Sequence, residues 1–304
     1  MNAAAATGVT VRVPAKVNVQ LAVGAARPDG FHDLATVFLA VSLFDEVTAT
    51  PADALTVTCA GPDAGQVPLD RTNLAARAAE LLAARAGIEP AVHLHIAKNI
   101  PVAGGMAGGS ADGAAALLAC DALWGLDTPR AELLALCAEL GSDVPFSLAG
   151  GAALGTGRGE LLTPVEAGAF HWVFAVADGG LSTPAVFREF DRLTEGVDVP
   201  APQVSPALLA ALACGDPDAL AVTLANDLQP SALSLRPRLA DTLAAGTDAG
   251  ALAALVSGSG PTTAFLVRDP ESAEKVAAAL EASGTCRATR VTTSPAPGAT
   301  VVTG

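Results

Sequence analysis

The chain has 304 residues, and its 31 acidic and 17 basic side chains give a formal net charge of −14. This acidic balance excludes a protein that binds duplex nucleic acid through a basic face, and one held on anionic lipid by polybasic segments. Hydrophobic residues make up 51% of the chain and charged residues only 16%, which excludes a disordered chain. The length favours two modest domains over a single one.

Several features predict a cytoplasmic protein. Residues 1–8 carry no basic region, and Arg12 and Lys16 interrupt any apolar stretch that could serve as a signal peptide. The five cysteines are scattered without a Cys-x-x-Cys pair, so neither a disulfide framework nor a zinc site is predicted. The uncharged run 249–267 has glycine, serine and proline at its centre. We interpret it as helix, loop and strand rather than as a membrane span.

Hydrophobic periodicity predicts α+β structure in the first half of the chain. Apolar residues alternate with polar ones or form short runs in five predicted strands, at 9–13, 17–21, 37–43, 55–59 and 92–96. Apolar residues at helical spacing predict helices over 73–86, 110–124 and 130–140. Asn73 is a suitable N-cap for the first helix, and Gly141 ends the third.

The second half of the chain continues the same pattern. Apolar runs predict strands over 170–177, 262–267 and 287–292, and helical spacing predicts helices over 206–214, 218–224 and 237–245. Residues 196–206 are rich in proline and polar turn formers, which favours a flexible excursion. We predict an α+β protein of two domains, residues 1–165 and 166–304.

The strongest functional signal is a glycine-rich segment from Pro101 to Asp112, between a predicted strand and a predicted helix. Glycines at 104, 105, 108 and 109 remove the side chains that would keep a ligand from the backbone N–H groups. The start of the following helix directs free N–H donors to the same place. Ser110 stands where a Walker A loop needs lysine, and the spacing is not that of a dinucleotide fingerprint. The segment predicts a phosphate-binding loop of another type, and the alternative is a tight turn between packed elements.

Two further glycine-rich segments are weaker signals. These are residues 155–160, Gly-Thr-Gly-Arg-Gly-Glu, and residues 257–262, Ser-Gly-Ser-Gly-Pro-Thr. Taken alone, each favours a plain turn.

Two charged residues occupy unusual positions. Arginine outnumbers lysine by 14 to 3, yet Lys16 lies between valine-rich strands. A compact ammonium there suits a phosphate or a carboxylate, and the alternative is an exposed strand lysine. Asp143 follows a helix end and precedes Pro145. Its carboxylate is either a general base or a partner for the amides of its own turn.

Aromatic and imidazole rings occur together at two places. In the turn 28–33, Phe31 and His32 offer the flat face and polar edge that a nucleobase requires. The alternative is a hairpin turn with Phe31 in the core. His93 and His95 lie on one strand face, but no third metal ligand accompanies them in the sequence. Ordinary solvent-facing strand histidines are therefore favoured over a metal pair.

Seven segments, in order along nearly the whole chain, resemble motifs of the GHMP kinases. The Pro-Ala-Lys-Val-Asn opening, the glycine-rich loop and the Leu-Gly-Ser-Asp-Val-Pro turn are similar to motifs of that family. The segments are 14–18, 28–32, 101–111, 140–145, 181–184, 226–230 and 257–261. The Asp-Gly-Phe-His turn resembles members whose alcohol substrate carries a cytidine diphosphate group.

This resemblance implies a fold and an activity. The fold is an N-terminal ATP-binding domain with a left-handed β-α-β unit, packed against a ferredoxin-like C-terminal domain, with the site between them. The activity is ATP-dependent phosphorylation of a small cytidine-diphosphate alcohol, at the 2-hydroxyl of its erythritol moiety, with Mg²⁺. Neither nucleic acid nor membrane is an expected partner, and the oligomeric state is not predicted.

The resemblance also implies roles for individual residues. Asp143 takes the proton of the substrate hydroxyl, and Lys16 holds Asp143 ionised and steadies the transferring phosphoryl group. Asn73 and Lys98 lie near the adenine. Phe31 stacks on cytosine, His32 bonds its edge, and Asn18 and Thr183 line the substrate pocket. The ATP phosphates are bound by the loop residues Pro101, Val102, Ala103, Gly104, Gly105, Met106, Ala107, Gly108, Gly109, Ser110 and Ala111.

Some questions stay open at the level of sequence. The magnesium ligands are not assigned, although Ser110 is a candidate by position. Phe31 stands where many family members have tyrosine, so base recognition is expected to depend on His32 and backbone groups. The alternatives are a homoserine- or mevalonate-type kinase of the same family, and a catalytically silent ligand-binding protein on the same fold.

Overall fold

The computed structural model of the chain describes residues 8–303. The strands are β1 (Val9–Ala26), β2 (His32–Pro51), β3 (Thr56–Ala60), β4 (Val92–Ala97), β5 (Ala152–Thr156), β6 (Leu161–Pro164), β7 (Phe170–Val176), β8 (Ala225–Asn226), β9 (Ala253–Val256), β10 (Thr263–Val267), β11 (Ala288–Ser294) and β12 (Thr300–Thr303). The helices are α1 (Leu74–Ala86), α2 (Gly108–Trp124), α3 (Arg130–Leu140), α4 (Val144–Ala149), α5 (Thr183–Leu193), α6 (Pro206–Cys214), α7 (Pro217–Ala221), α8 (Gln229–Leu235), α9 (Arg238–Asp248) and α10 (Pro270–Ser283).

A long antiparallel pair, β1 and β2, forms the centre of the larger sheet, whose main order is β12-β1-β2-β4-β3. The two strands predicted over 9–13 and 17–21 are one strand, because register shifts near Pro14 and Asn18 keep β1 paired with β2 throughout. These irregularities bend the strand without ending it. Lys16 lies opposite Ala40 and Asn18 opposite Phe38, so both polar side chains lie on one face of the sheet.

Helices α1 to α4 belong to the first half of the chain, and α2 is the longest of them. Most of the side chains of α2 are small, and ten residues from Ala111 to Asp121 are buried. Contacts with α1, β1, β2 and α4 surround α2. Small side chains permit this close packing on all sides. The start of α2, which follows the first glycine-rich segment, is therefore held by a rigid core.

The smaller sheet has the order β11-β7-β10-β9, and all its strand pairs are antiparallel. Numbered within this sheet, the order is fourth, first, third, second, as expected of a ferredoxin-like domain. Trp172 is fully buried at its centre, where its indole Nε1 donates a hydrogen bond to Ser294 Oγ at 3.0 Å.

Two short strands from the second half of the chain join the larger sheet. β8 runs parallel to β1, and β12 runs antiparallel to it, with Val11 opposite Val301. Neither strand was predicted, because such short segments have too few residues to show a period. The division into residues 1–165 and 166–304 stays a prediction.

Other sequence predictions need correction. Residues 253–256 form β9, not part of a helix, because α9 ends at Asp248 and the short apolar run pairs with β10. The helix predicted over 218–224 is limited to α7, which is capped by Asp216 and ends at Ala221.

The excursion predicted over 196–206 is tied to the sheet at its end. Gln20 Nε2 donates to the Gln203 carbonyl at 2.7 Å, and Gln20 Oε1 accepts from the Ser205 amide at 2.9 Å. Ser205 then caps α6 through the Leu208 amide. Within residues 8–303, no helix combines the length and the apolar character needed to cross a bilayer.

Candidate active site

A cleft of about 840 Å³ lies where the two halves of the chain meet. The first half contributes strand residues of β1 and β2, the glycine-rich loop and the turn before α4. The second half contributes α5 and the loop between β9 and β10. The motifs singled out in the sequence converge on this cleft, although they lie far apart along the chain.

Lys16 lies at one end of the cleft and is only 5% exposed. Its Nζ donates hydrogen bonds to Asn18 Oδ1 at 2.6 Å and to the Gly105 carbonyl at 2.9 Å. Burial lowers the pKa of the Lys16 ammonium from that of a free lysine, although the Asp143 carboxylate opposes the shift. The exposed strand lysine considered as an alternative is therefore wrong.

Asp143 provides the accessible carboxylate at the same end. It occupies the N-cap position of the short helix α4, where Gly141 and Pro145 shape the turn. Its Oδ2 lies 3.6 Å from Lys16 Nζ, and its side chain is 33% exposed. Within the described turn, its carboxylate accepts no capping hydrogen bond. The Asp143 carboxylate thus forms an ion pair, is accessible from the cleft and is not hydrogen-bonded to the amides of its own turn.

Asn18 connects Lys16 to the strand beside it. Its Nδ2 donates to Thr36 Oγ1 at 2.7 Å, and that hydroxyl in turn donates to the Gln20 carbonyl at 2.9 Å. This chain of bonds orients the Asn18 amide so that its oxygen faces the ammonium. Asn18 lines the cleft and also fixes the position of Lys16, while its contact with substrate stays a prediction.

The first glycine-rich segment forms the loop that leads into α2. A Cβ on Gly105 would lie 2.0 Å from the Ser257 carbonyl oxygen, and the backbone there has a φ of +76°. Both observations require glycine at this position. Gly108, Gly109 and Ser110, in the first turn of α2, line the cleft. They therefore present the free N–H groups of a helix start to the cavity.

The third glycine-rich segment, residues 257–262, packs directly on the first one. Ser257 Oγ donates to the Gly105 carbonyl at 3.2 Å, and the Thr262 amide donates to the Gly104 carbonyl at 3.3 Å. Ser259 Oγ is 2.8 Å from Thr183 Oγ1 at the start of α5. The segment is a turn between β9 and β10, as predicted, and it also joins the loop before α2 to the second half of the chain.

An aromatic group lines the other end of the cleft. Phe31 is 48% exposed, so the alternative of a core phenylalanine is wrong. His32 is buried, its Nε2 lies 2.8 Å from Asp191 Oδ1, and its ring centroid is 5.0 Å from that of Phe187. Phe31, His32 and Phe187 all line the cavity, which gives this end a flat, apolar character with polar edges.

Sequence reasoning missed several residues of the cleft. Four of them are charged or aromatic: Arg158, Phe187, Arg188 and Asp191. Three of these lie on α5, directly after the Leu-Ser-Thr-Pro segment, which was noted for its resemblance alone. The strong amphipathic pattern of α5 was a signal that could have identified a helix with one face on the site.

The structure does not bring Asn73 and Lys98 to the lining of the cleft within the described residues. The Asn73 side chain accepts from the Ala75 amide and caps α1, as its helix-capping role predicted. Lys98 is 2% exposed, and its Nζ contacts Asp45 Oδ2 at 2.5 Å and Asp112 Oδ2 at 2.7 Å. Both side chains are therefore occupied by structural contacts, and their placement near the adenine stays a prediction.

Metal-ligating groups are sparse. In the described part of the chain, no three His, Cys, Asp or Glu side chains gather in an arrangement that could hold a metal ion. His93 contacts Thr56 and Thr58, and His95 contacts Thr58. The two histidines thus belong to a polar face of β3 and β4 rather than to a metal site.

Family models match both halves of the chain. A model described as the GHMP kinases N terminal domain matches residues 73–151, and one described as the GHMP kinases C terminal region matches residues 207–286. The first match contains the glycine-rich loop and Asp143, and the second contains the loop between β9 and β10.

Individual proteins resemble the chain more strongly. A 4-diphosphocytidyl-2-C-methyl-D-erythritol kinase of Streptomyces avermitilis is 76% identical over 295 residues, which cover 97% of this chain and 99% of that protein. A crystal structure of a 4-(cytidine 5'-diphospho)-2C-methyl-D-erythritol kinase is 34% identical, with a TM-score of 0.76 over 93% of this chain and 98% of that one.

More distant structures share the fold. A homoserine kinase structure from Cytophaga hutchinsonii is 20% identical, with a TM-score of 0.75, and covers 99% of each chain. At this identity the likeness concerns the fold alone. The predicted two-domain α+β architecture with a ferredoxin-like second domain is confirmed.

Proposed function

We propose that the chain phosphorylates the substrate for which its relatives are named. It belongs to the 4-diphosphocytidyl-2-C-methyl-D-erythritol kinases of the GHMP superfamily and is an ATP-dependent small-molecule kinase. In this proposal, the γ-phosphoryl group of ATP passes to the 2-hydroxyl of the methylerythritol moiety. The products are the 2-phosphate and ADP, in a step of non-mevalonate isopentenyl diphosphate biosynthesis. The observation that carries the proposal is one cleft with a lysine–aspartate pair at one end and an aromatic group at the other.

The reacting end of the cleft supports a role for Asp143 as the general base. As the hydroxyl oxygen forms its bond to the γ-phosphorus, the hydroxyl proton passes to the Asp143 carboxylate. The bond between the γ-phosphorus and the β–γ bridging oxygen breaks, and ADP leaves with that electron pair. Phosphoryl transfer depends mainly on positioning and charge stabilisation. An accessible, ionised carboxylate beside a fixed cation meets both needs.

Lys16 has two roles in the proposed reaction. Its ammonium lies 3.6 Å from the Asp143 carboxylate and forms an ion pair with it, which holds that carboxylate at the reacting end of the cleft. The same ammonium stabilises the negative charge on the transferring phosphoryl group. Its bonds to Asn18 Oδ1 and the Gly105 carbonyl hold it in place before substrate arrives, so little reorganisation is needed.

The loop of residues 101–111 is proposed to bind the ATP phosphates. Its glycines permit close approach of the backbone, and the start of α2 supplies N–H donors and a favourable dipole. The 17-residue helix is held by the core along most of its length, so these donors have a fixed direction. The side chains of Asn73 and Lys98 are bonded to other groups of the protein. We therefore propose that backbone groups near these two residues contact the adenine of ATP.

The donor set of the cleft fits a magnesium ion that is held mainly by ATP and water. Ser110, which lines the cavity in the first turn of α2, is the residue whose oxygen would bind the ion. Mg²⁺ usually keeps several waters and uses one or two protein oxygens with the phosphates. When bound, Mg²⁺ neutralises charge on the β- and γ-phosphate oxygens.

The aromatic end supports cytosine binding. We propose that Phe31 and Phe187 contact the faces of the base, because both rings border the cleft near the buried His32. His32 Nε2 is engaged by Asp191, which leaves Nδ1 for the base edge. Thr183, at the start of α5, lines the cleft, and its Oγ1 lies 2.8 Å from Ser259 Oγ. We propose that it contacts the part of the substrate that links the base to the alcohol.

A panel of alcohols tests the proposal. Release of ADP is measured with cytidylated methylerythritol, methylerythritol 4-phosphate, homoserine and mevalonate, each with ATP and Mg²⁺. We expect turnover with the cytidylated alcohol alone. Turnover of homoserine or mevalonate without the cytidylated compound would instead support the alternative kinase types, and no turnover at all would support a silent binding protein. A cytoplasmic location and the absence of nucleic-acid and membrane partners stay expectations.

A further inference from the structure

The second glycine-rich segment, residues 155–160, connects β5 and β6 at the mouth of the cleft. Gly157 has a φ of +70° and Gly159 a φ of +105°, which allows the chain to reverse within a few residues. The Gly157 carbonyl accepts a hydrogen bond of 2.8 Å from the Leu34 amide. The segment is therefore fixed to the start of β2, next to the turn that carries Phe31 and His32.

This attachment places Arg158 against Phe31. The guanidinium carbon lies 5.1 Å from the centroid of the Phe31 ring, in the geometry of a cation–π contact. Glu160 holds the arginine: its Oε2 accepts from the Arg158 amide at 2.7 Å, and its Oε1 lies 3.5 Å from Arg158 Nε. Both Arg158 and Phe31 line the cleft.

A half-exposed ring needs such a contact to hold one orientation. The Phe31 amide donates to Asp29 Oδ1 at 3.0 Å, which fixes the backbone of the turn. The phenyl ring has no hydroxyl with which to anchor itself, so its side-chain orientation depends on what packs on its faces. The guanidinium lies over the ring, which is 48% exposed and lines the cleft.

We propose that Arg158 is a positioning residue for base recognition, which holds the Phe31 ring through the cation–π contact so that the opposite face receives the pyrimidine. This inference rests on the proposed function. The second glycine-rich segment then belongs to the substrate site rather than being a plain turn. Arg158 acts through Phe31, so its loss affects binding of the cytidylated substrate and not the chemical step.

The first test is the Arg158→Met variant, which removes the charge and keeps a flexible apolar chain. The KM for the cytidylated alcohol is expected to rise about 3- to 10-fold, as for loss of a cation–π contact, with kcat and the KM for ATP unchanged. Arg268→Met is the matched control, because Arg268 is also an exposed, carboxylate-paired arginine but lies away from the cleft. An unchanged substrate KM in Arg158→Met would overturn the proposal.

A double-mutant cycle tests whether Arg158 acts through the ring. Phe31→Ala should raise the substrate KM by itself, and adding Arg158→Met to it should have little further effect. Independent, multiplying effects of the two substitutions would contradict a positioning role.

Competitive inhibition by cytidine, CMP and CDP separates ring positioning from direct contact with phosphate. We expect Arg158→Met to weaken all three inhibitors by a similar factor. A loss that increases with the number of phosphates would assign the guanidinium to the diphosphate and overturn the proposal. Absence of wild-type turnover with the cytidylated alcohol would remove the proposed function and this inference with it. Wild-type turnover with an unaffected Arg158→Met variant would remove the inference alone.

Discussion

Lys16 and Asp143 form an ion pair in which the two side chains differ in burial. Lys16 is buried and bonded on two sides, whereas Asp143 is one-third exposed. Such a difference suits a fixed cation beside a carboxylate that must exchange a proton with substrate.

Replacement of this carboxylate by an amide should remove the proposed proton acceptor with little change in side-chain shape. We expect Asp143→Asn to lower kcat by about 10²–10⁴, on general-base grounds, while ATP binding is largely retained. Single-turnover rates and ATP binding by titration measure the two effects separately. Asp127→Asn, at an exposed turn outside the cleft, is the matched control. Wild-type rates in Asp143→Asn would remove Asp143 from the mechanism.

The lowered pKa of Lys16 predicts how activity depends on pH. Because burial lowers this pKa from the usual 10.5, the ammonium loses its proton at a lower pH than a free lysine does. The kcat is therefore expected to fall as pH rises, with a midpoint below 10.5. A kcat–pH profile checks this, with Lys275→Met as a control for an exposed lysine. A kcat that stays level up to the pH at which free lysine titrates would contradict the assignment.

Among the secondary-structure elements and loops, the first and third glycine-rich segments are joined by hydrogen bonds. The Gly105 carbonyl alone accepts bonds from Lys16 Nζ and Ser257 Oγ, so a single peptide group joins β1, the loop before α2 and the loop after β9. Any shift of this peptide would disturb both Lys16, the proposed catalytic lysine, and the loop proposed to bind phosphate.

A methyl group at Gly105 tests this arrangement. Gly105→Ala places a Cβ 2.0 Å from the Ser257 carbonyl and forces alanine into a left-handed conformation. We expect a rise in the KM for ATP of about tenfold or more and a loss of stability of about 1–3 kcal/mol. Gly65→Ala is the control, since a Cβ there meets open space. Unchanged ATP kinetics in Gly105→Ala would show that the two loops are not coupled.

A buried cluster of charged side chains connects the start of α2 to the larger sheet. Lys98, after β4, joins Asp45 of β2 and Asp112 of α2, and all three are almost fully buried. Burial, together with the nearby Asp45 carboxylate, raises the pKa of Asp112, although Lys98 opposes the shift. Burial would lower the pKa of Lys98, but Asp112 and Asp45 overcome this and raise it.

This raised pKa makes stability depend on pH in a definite direction. The folded state keeps the Asp112 proton at a pH where the unfolded chain has lost it, so stability falls as pH rises above about 4 towards the folded pKa. Asp112→Asn should remove this dependence, by at most about 1.4 kcal/mol per pH unit. Urea unfolding of both proteins at several pH values measures it. A difference between them that stays constant with pH would contradict the assignment.

Across the whole molecule, local elements and motifs could be predicted from the sequence, whereas many contacts between distant residues could not. Alternating valines indicated β1, and the cap Asn73 indicated the start of α1, because local patterns determine both. The partners of Lys98 and the ring under Arg158 were not predictable, since these contacts join residues that are distant in sequence. β12 and β9 were missed for a related reason: they are too short to show a period, and pairing with β1 and β10 defines them.

The net charge of −14 does not conflict with phosphate-bearing ligands. The cleft has Lys16, Arg158 and Arg188 among its lining residues and the N–H groups at the start of α2. Local donors determine binding of a small anion, whereas net charge governs solubility and long-range steering. The acidic net charge therefore excludes extended polyanions as ligands, but it does not exclude nucleotides.

The proposed reaction transfers a phosphoryl group to the 2-hydroxyl of the cytidylated alcohol. The most direct measurement is the proton-coupled ³¹P NMR spectrum of the product formed from ATP and that substrate. Carbon 2 carries a methyl group and no hydrogen, so we predict a new phosphomonoester signal that is not split by a proton on the ester carbon, with the diphosphate signals retained. A new signal split by ester-carbon protons, or the absence of any new ester, would contradict transfer to the 2-hydroxyl.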